Sequence, residues 1–312
     1  MQAVRAAGHL ACGTVEGVDD WNGQDQHGDL SGLGAEICRA VATAILGRAD
    51  AAEIVPFPAE LDALAGLQAG RVQLVIGITP GAETAVQYGV AFGPPVFYDT
   101  QRFLVLAQSG LKTVADLRDR LVCAMNNTPA ARTLADEMAA RDIPYALQAH
   151  SEQGEMDASV AVARCAAGAA LETRLADSRA DFPAKAPQFV FLPERIGLSP
   201  AAPAYRYGDQ IFGLAVDWTV SALIEAEALG IDQHNVEAAK ARTDMRARQL
   251  LGGEFAVGQA LGLKRDWAAQ VIAAVGNYGE IFDRTLAKTY HLERGPNALW
   301  TSGGLMRPMP MQ

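Results

Sequence analysis

The sequence has no long hydrophobic run. None of its 312 residues lies in a stretch of the roughly 18 to 20 apolar residues that a bilayer-spanning helix needs. An Ala-rich stretch, Ala158 to Leu171, is interrupted by Arg164 and Gly168. We therefore expect no membrane insertion.

Clusters of basic residues are also missing. Asp and Glu number 36 against 26 Lys and Arg, which gives a formal charge of -10, and the basic residues are scattered. This pattern disfavours binding to a phosphate backbone or an anionic membrane, so nucleic acid is not an expected partner. With 50% hydrophobic and 20% charged residues, the chain is typical of an ordered globular protein of about two domains.

Motifs for catalysis and for metal binding are absent as well. The sequence shows no Ser-His-Asp arrangement, no Gly-rich phosphate loop, no CxxC and no paired His. We expect no cofactor, no metal and no enzymatic activity. A catalyst would need an acid or a base in a dry cleft, and only Asp20, Glu83, His150 and Glu172 would qualify. His150 stands alone, which is typical of an ordinary polar residue.

Cysteine is scarce, with four residues in the whole chain. Cys12 ends an apolar run, and Cys38 lies on the helical pattern that follows. Cys123 and Cys165 repeat this arrangement later in the chain. Four cysteines allow three pairings, and four buried free thiols in a cytosolic protein are the alternative.

Short apolar runs alternate with longer helical patterns, which predicts an α/β fold with largely parallel sheets. The predicted strands are Leu10 to Thr14, Glu53 to Val55, Leu74 to Ile78, Arg102 to Leu106, Leu121 to Ala124, Tyr145 to Gln148 and Phe189 to Phe191. The predicted helices are Ala35 to Leu46, Ala59 to Ala69, Pro129 to Arg141 and Met156 to Ala163, with a mostly helical region from Asp209 onward. Ligands of such folds usually bind beyond the carboxyl ends of the strands, so the strand-end loops are the candidate site.

Several stretches resemble one protein family. They are Ser31 to Leu33, Ala222 to Ile231, and the tail segments Val275 to Phe282 and Leu292 to Met306. All resemble the general L-amino-acid-binding proteins of solute-binding protein family 3, which serve bacterial ABC importers. The resemblance extends over essentially the whole chain.

The resemblance implies a two-lobed periplasmic-binding-protein fold, type II-like, with two chain crossings, hinge closure on a ligand and a helical C-terminal extension. It implies lobe 1 at residues 1–104 and 203–312, lobe 2 at residues 105–202, and one disulfide per lobe, Cys12 with Cys38 and Cys123 with Cys165. A periplasmic location after removal of a signal peptide, a small-molecule ligand and an ABC permease partner are implied too.

Members of the family hold both charged ends of an amino acid, and this chain departs from them at both positions. The arginine that binds the α-carboxylate in the family falls on Thr84, and neither Arg nor Lys occurs between Val72 and Thr100. The aspartate that accepts the α-ammonium group falls on Leu171. Glu172 replaces it only with a register shift; otherwise Glu172 is a solvated carboxylate in a first helical turn.

Other family contacts have polar counterparts here. Thr79 matches a family threonine, and its alternative role is that of a plain turn residue after a strand. The helix N-terminus that cradles a carboxylate in the family is formed here by Asn126, Asn127 and Thr128 ahead of Pro129. The alternative is a well-capped helix without a ligand role.

Further candidates are an aromatic wall and a cation. Trp21 falls where the family has an aromatic residue in the first loop, and Asn22 flanks it. Surface packing is the alternative for Trp21. Arg132 stands one turn into the helix after Thr128. Weaker candidates for the cleft or the hinge are Tyr98, Gln101 and His150.

These departures change the expected ligand. Each charge-assisted hydrogen bond contributes about 1.5–3 kcal/mol, so losing both partners weakens a standard amino acid by about three decades or more. We therefore expect a receptor of an ABC importer with a non-standard small ligand. The first alternative is a non-transport accessory protein, for example a partner of a periplasmic quinoprotein dehydrogenase, and the second is a dehydratase-like enzyme.

Overall fold

The computed structural model describes residues 1–15, 31–126, 128–181, 188–253 and 257–311. The chain forms two compact units, the first from Met1–Phe97 and Pro200–Gln312, the second from Tyr98–Ser199. The two divisions fall seven and three residues before positions 104 and 202, which the family resemblance implied. The strand pairing is the reason, because Gln101 already pairs with Leu171 of the second unit, while Ala201 O accepts a hydrogen bond from Val96 N of the first at 2.8 Å.

Residues up to Phe97 form the first part of the first unit. Its strands are β1 (Leu10–Val15), β2 (Ala52–Phe57), β3 (Leu74–Ile78) and β4 (Val90–Phe92), and its helices are α1 (Gln2–Ala7), α2 (Leu33–Leu46), α3 (Glu60–Gln68) and α4 (Ala82–Tyr88). β1 lies between β2 and β3 and pairs in parallel with both. Strands buried on both faces appear in the sequence as continuous apolar runs, which is why β1 and β3 are predicted closely.

The second unit is built on another parallel core. Its strands are β5 (Phe97–Leu106), β6 (Leu121–Met125), β7 (Ala146–His150), β8 (Ala167–Leu171) and β9 (Phe189–Phe191), and its helices are α5 (Pro129–Ala140), α6 (Gln153–Ala161) and α7 (Glu172–Asp181). β6 pairs in parallel with β7 and β8, and β5 runs antiparallel to β8 and β9. Successive side chains of β5 enter different cores, Phe103 with Leu134 and Leu104 with Met156.

The chain then returns to the first unit. The remaining elements are β10 (Gly197–Arg206), α8 (Gln210–Ala228), α9 (Val236–Ala239), α10 (Met245–Leu250), α11 (Val257–Ala260), α12 (Trp267–Val275), α13 (Tyr278–Phe282) and α14 (Lys288–Tyr290). β10 runs antiparallel to β3 and β4. Within the described residues, no helix has both the length and the apolar character needed to cross a membrane.

The tail after α14 is tied to the first unit through Arg294. Its guanidinium donates to the Glu227 carboxylate at 2.9 and 3.0 Å and lies 5.3 Å from the centre of the Tyr278 ring. Tyr278 is fully buried, and its hydroxyl donates to Val96 O at 2.9 Å. The helical C-terminal region expected from the sequence is therefore an integral part of this unit.

Several short elements escape the sequence pattern. α1, α4 and β4 were not predicted, and β8 was indicated only by the family resemblance. α4 has seven residues, none of them fully buried, so it has no apolar periodicity to detect. β10 contains Pro200 and Pro203, which normally argue against a strand. Pro203 keeps its acceptor role, because its carbonyl receives a hydrogen bond from Gly93 N at 2.9 Å.

Each unit contains one disulfide, and the predicted pairing is confirmed. Cys12 of β1 is bonded to Cys38 of α2 with the Cα atoms 6.0 Å apart. Cys123 of β6 is bonded to Cys165, just before β8, with a Cα separation of 5.7 Å. Each bond joins a sheet to a neighbouring segment of its own unit, and no cysteine is free.

Two glycines make room for one aromatic ring in the first unit. A Cβ atom on Gly66, within α3, would lie 2.6 Å from Cζ of Phe57, and one on Gly13 would lie 2.9 Å from Cε2 of the same ring. Glycine inside a helix weakens it by about 0.5–1 kcal/mol relative to alanine. The close packing of Phe57 explains why α3 carries a glycine here.

Candidate ligand-binding site

In the second unit, predicted site residues follow the carboxyl ends of the parallel strands. Asn126 comes directly after β6, and Leu171 closes β8, with Glu172 next in the chain. Because β6 and β8 are parallel neighbours, these residues lie on one edge of the sheet, where ligands of α/β proteins usually bind.

Asn126 connects two of these strand ends. Its backbone N donates to His150 O at 2.8 Å, and its Nδ2 donates to Ser151 Oγ at 3.0 Å. The residue is exposed, and no donor among the described residues bonds its amide oxygen. Asn126 is thus held in place while one acceptor remains available to a ligand. Asn127 lies outside the described residues.

Thr128 serves as the N-cap of α5. Its Oγ1 accepts a hydrogen bond from Ala131 N at 3.1 Å and donates one to Met125 O at 3.0 Å. The hydroxyl is therefore engaged in the cap, and the contribution of this turn to a ligand is the backbone N–H groups of the first helical turn. Arg132 is exposed on the same helix.

Glu172 is buried and already paired. Arg102 Nη1 donates to its Oε1 at 2.6 Å, Arg195 Nε lies 3.5 Å from its Oε2, and the Thr100 hydroxyl donates to Oε2 as well. This differs from the sequence alternative of a solvated carboxylate. The carboxylate of Glu172 is thus paired with a cation of the protein itself, and the adjacent Leu171 carries no charge.

Arg102 is itself held from several sides. Its Nε and Nη2 donate to Leu192 O at 3.2 and 2.8 Å, and its guanidinium carbon lies 4.8 Å from the centre of the Phe191 ring. A guanidinium with a carboxylate, a carbonyl and a ring face as partners has little freedom to turn toward a solute. The Arg102–Glu172 pair is a fixed part of this unit.

Asp99 lies next to this pair and is also buried. Its carboxylate accepts hydrogen bonds from the backbone N and the hydroxyl of Thr173. Burial raises the pKa of Asp99 to about 7, and the negative charge of Glu172 adds to this effect, while the Thr173 hydrogen bonds oppose it. The cluster therefore contains one carboxyl group that changes its charge near neutral pH.

Two predicted site residues of the first unit, Thr79 and Thr84, belong to the described part of the chain. Thr79 follows β3 and is exposed, and its backbone N donates to the Glu60 carboxylate. Burial raises the pKa of Glu60, and its hydrogen bond to Thr79 opposes the shift. Thr84 is half-buried on α4. Trp21 and Asn22 belong to residues 16–30, which are outside the described residues.

The remaining candidates have mostly structural contacts. Gln101 is buried, and its Nε2 donates to Ala130 O at 2.7 Å. Tyr98 is half-buried, and burial raises its pKa. His150 is buried beside the Cys123 sulfur. Of the acid and base candidates, Glu83 is exposed, and Asp20 lies outside the described residues.

Sequence reasoning missed the residues around the Glu172 carboxylate, namely the cations Arg102 and Arg195 and the hydrogen-bond donor Thr100. The segment without Arg or Lys, Val72 to Thr100, ends two positions before Arg102. A signal was present, because Arg102 begins the run predicted as an apolar strand, and a charged residue in a buried strand requires a partner. Asp99 gave no such signal, because the predicted strand begins at Arg102, whereas β5 begins at Phe97.

Comparison with known proteins gives full-length relatives. The chain is 32% identical to the general L-amino acid-binding periplasmic protein of Rhizobium johnstonii, covering 99% of this chain and 92% of the relative. It is 33% identical to the glutamate/glutamine/aspartate/asparagine-binding protein of Rhodobacter capsulatus, with the same coverage. Models of protein families give no match.

A solved structure shows the same similarity. The ABC transporter periplasmic binding protein of Brucella ovis, solved with glutathione bound, superposes with a TM-score of 0.85 at 31% identity, covering 100% of this chain and 98% of that one. These relatives are solute receptors and not enzymes. The two-unit α/β fold, the paired cysteines and the full-length similarity agree. The chain belongs to the periplasmic amino-acid-binding proteins of ABC transporters and is a solute-binding protein of that family.

Proposed function

We propose that this protein delivers a small peptide-like solute, rather than a free amino acid, to an ABC permease. The observation that carries the proposal is the state of Glu172, whose carboxylate is paired with Arg102 at 2.6 Å and faces Arg195 at 3.5 Å. A receptor for free amino acids needs an unpaired carboxylate for the ammonium group. Here the adjacent Leu171 has no charge and Glu172 is already neutralised.

The first unit supports the same conclusion for the opposite end of the ligand. The segment of β3 and α4 has no basic side chain, since neither Arg nor Lys occurs between Val72 and Thr100. Desolvating an α-carboxylate without a charged donor is costly. A ligand whose contacts here are amide groups avoids this cost, because neutral donors and acceptors satisfy an amide.

The Brucella ovis protein supports the proposed ligand class. Glutathione, which is bound in that structure, is a tripeptide with two amide bonds. Glutathione also carries an ammonium group and two carboxylates, which need charged partners outside these positions. Its amide bonds match the neutral groups of the proposed site, among them the N–H groups at the start of α5 and the amide oxygen of Asn126, which accepts no hydrogen bond from the described part of the chain. The proposed contacts are Trp21, Asn22, Thr79, Thr84, Asn126, Asn127, Thr128 and Leu171.

The permease partnership follows from the family. A separate periplasmic protein partner, as for an accessory protein of a dehydrogenase, stays a prediction.

The proposal is tested by thermal unfolding of ligand-stripped protein with each of the standard amino acids, glutathione, and a set of di- and tripeptides at about 1 mM. A solute present at 1,000 times its Kd stabilises the folded state by about 4 kcal/mol, which raises Tm by several degrees. We expect a shift with one or more peptides and none with free amino acids. A clear shift with any single amino acid contradicts the proposal.

A matched variant separates the site from general stabilisation. Asn126 is exposed, so Asn126→Ala should leave the Tm of the unliganded protein nearly unchanged while reducing the shift that the peptide causes. If the variant retains the full shift, Asn126 is not a contact, although the ligand class stands.

A further inference from the structure

The disulfide of the second unit has a histidine beside it. His150 Nε2 lies 3.2 Å from Cys123 Sγ. The two sulfurs of Cys123 and Cys165 and a ring nitrogen of His150 lie within 4.8 Å of one another, and all three residues are buried. In the described part of the chain, Cys12 and Cys38 belong to no such cluster.

Strand pairing holds these residues together independently of the sulfur–sulfur bond. Met125 pairs with His150 between β6 and β7, and Val122 pairs with Ala167 between β6 and β8. Cys165 comes just before β8, and the next backbone N, that of Ala166, donates to Leu121 O at 2.8 Å. The backbone positions of the three residues are thus fixed by the sheet. No sequence motif reveals them, because Cys123 is 27 residues from His150 and 42 from Cys165.

We propose that the second unit binds a zinc ion when its disulfide is reduced, with the Cys123 and Cys165 thiolates and His150 Nε2 as ligands. A phosphine or dithiol reductant supplies two electrons, the sulfur–sulfur bond breaks, and two protons from solvent complete the thiols. Zinc then displaces those two protons and forms two zinc–sulfur bonds and one zinc–nitrogen bond. In the oxidised protein neither sulfur carries a charge, so the site exists only after reduction.

The geometry needs small changes. Zinc–sulfur bonds of about 2.3 Å in a tetrahedral site place the sulfurs roughly 3.8 Å apart. With the Cα atoms 5.7 Å apart, rotation of the two side chains opens this distance without moving the strands. The protein supplies three ligands, and the fourth position is left for water.

Glu155 supports the histidine. Its Oε2 lies 3.8 Å from His150 Nδ1, and its side chain is 66% exposed. A carboxylate facing the second ring nitrogen favours the tautomer with the proton on Nδ1, which leaves the Nε2 lone pair for the metal.

The consequence is an asymmetry between the two units. In the second unit a metal can replace the disulfide as the link between the same two positions, whereas the described residues of the first unit offer no equivalent. Reduction in the presence of zinc therefore breaks both disulfides but leaves only the first unit without a covalent or metal-mediated link.

Two double variants test this directly. Cys12→Ser/Cys38→Ser keeps the cysteines of the second unit, and Cys123→Ser/Cys165→Ser is the matched control that keeps those of the first. Both are reduced with a phosphine in denaturant, refolded without oxygen and titrated with Co²⁺, whose absorption reports thiolate ligands, and then with Zn²⁺. We expect one equivalent bound tightly by the first variant only, and none by its oxidised form.

Two substitutions in the first variant assign the ligands. His150→Gln should weaken zinc binding by about 100-fold or more, and Glu155→Gln by about 10-fold. Equal binding by both double variants, or none by the first, overturns the proposal. If the reduced first variant does not refold alone, Zn²⁺ must restore its far-UV circular dichroism and must not restore that of the control; failure to do so overturns the proposal equally.

Discussion

Replacing Arg102 by leucine should lower the free energy of unfolding of the second unit by about 3–5 kcal/mol, because the change leaves the buried Glu172 carboxylate without its shortest ion pair. Both side chains are only 11% exposed, so solvent does not compensate. Because Arg195 and Thr100 remain near the carboxylate, we expect a loss toward the lower end of this range. The double variant Arg102→Leu/Glu172→Leu removes both charges and should recover most of the loss.

Urea unfolding measures this cycle, and the chain offers a useful pair of probes. All four tryptophans belong to the first unit in sequence, at positions 21, 218, 267 and 300, whereas far-UV circular dichroism reports both units. A loss of stability in the second unit should appear in the dichroism. Arg141→Leu is the matched control, since the Arg141–Glu137 pair of the same unit is 38% exposed on each side and contributes under about 1 kcal/mol. A cost for Arg102→Leu no larger than this control, or a double variant as unstable as the single one, refutes the reasoning.

Two further predictions concern stability. The pKa of Asp99 is about 7 in the folded protein, against 3.8 for an ordinary aspartate. Between these two pH values the native state therefore holds a proton that the unfolded state has lost. The free energy of unfolding should fall by about 1.4 kcal/mol per pH unit across this range and level off above pH 7. Asp99→Asn should remove that slope from urea midpoints measured by circular dichroism between pH 5 and 8, and an unchanged slope contradicts the assignment. Gly66→Ala should destabilise the first unit by about 1–3 kcal/mol through its clash with Phe57. The helical control Gly154→Ala, where a Cβ meets nothing within 4 Å, should be neutral or stabilising by up to about 1 kcal/mol; equal thermal shifts in both variants would argue against the packing.

The fold could be predicted wherever burial leaves a pattern in the sequence. The buried strand β3 matches the predicted limits, and so does β9, in which Phe189 is buried. The limits of α2, α3 and α5 differ by one or two residues. The half-exposed helix α4 could not be predicted, because its apolar residues do not recur with the helical period. The disulfides came from the family resemblance, because spacing alone allows three pairings.

The candidate site was harder to predict for a different reason. Sequence comparison located Leu171 and Glu172, but the chemistry of Glu172 depends on Arg102 and Arg195, which are 70 residues before it and 23 after it. Only the pairing of β5 with β8 and the position of Leu192 bring these residues together. Ion pairs between residues that are distant in sequence become visible only once the fold is known.

The second unit is one continuous segment inserted between the two parts of the first, and this has a consequence for biosynthesis. During synthesis and export, Tyr98–Ser199 emerges as a complete folding unit, whereas β3 must wait for its antiparallel neighbour β10 until the whole insertion has passed. Until then β3 is an unpaired sheet edge, the kind of surface that invites aggregation. Chaperone dependence of this protein should therefore arise from its discontinuous half. Because Val96 N and Ala201 O are hydrogen-bonded at 2.8 Å, a short linker from Val96 to Ala201 in place of the second unit would remove the delay.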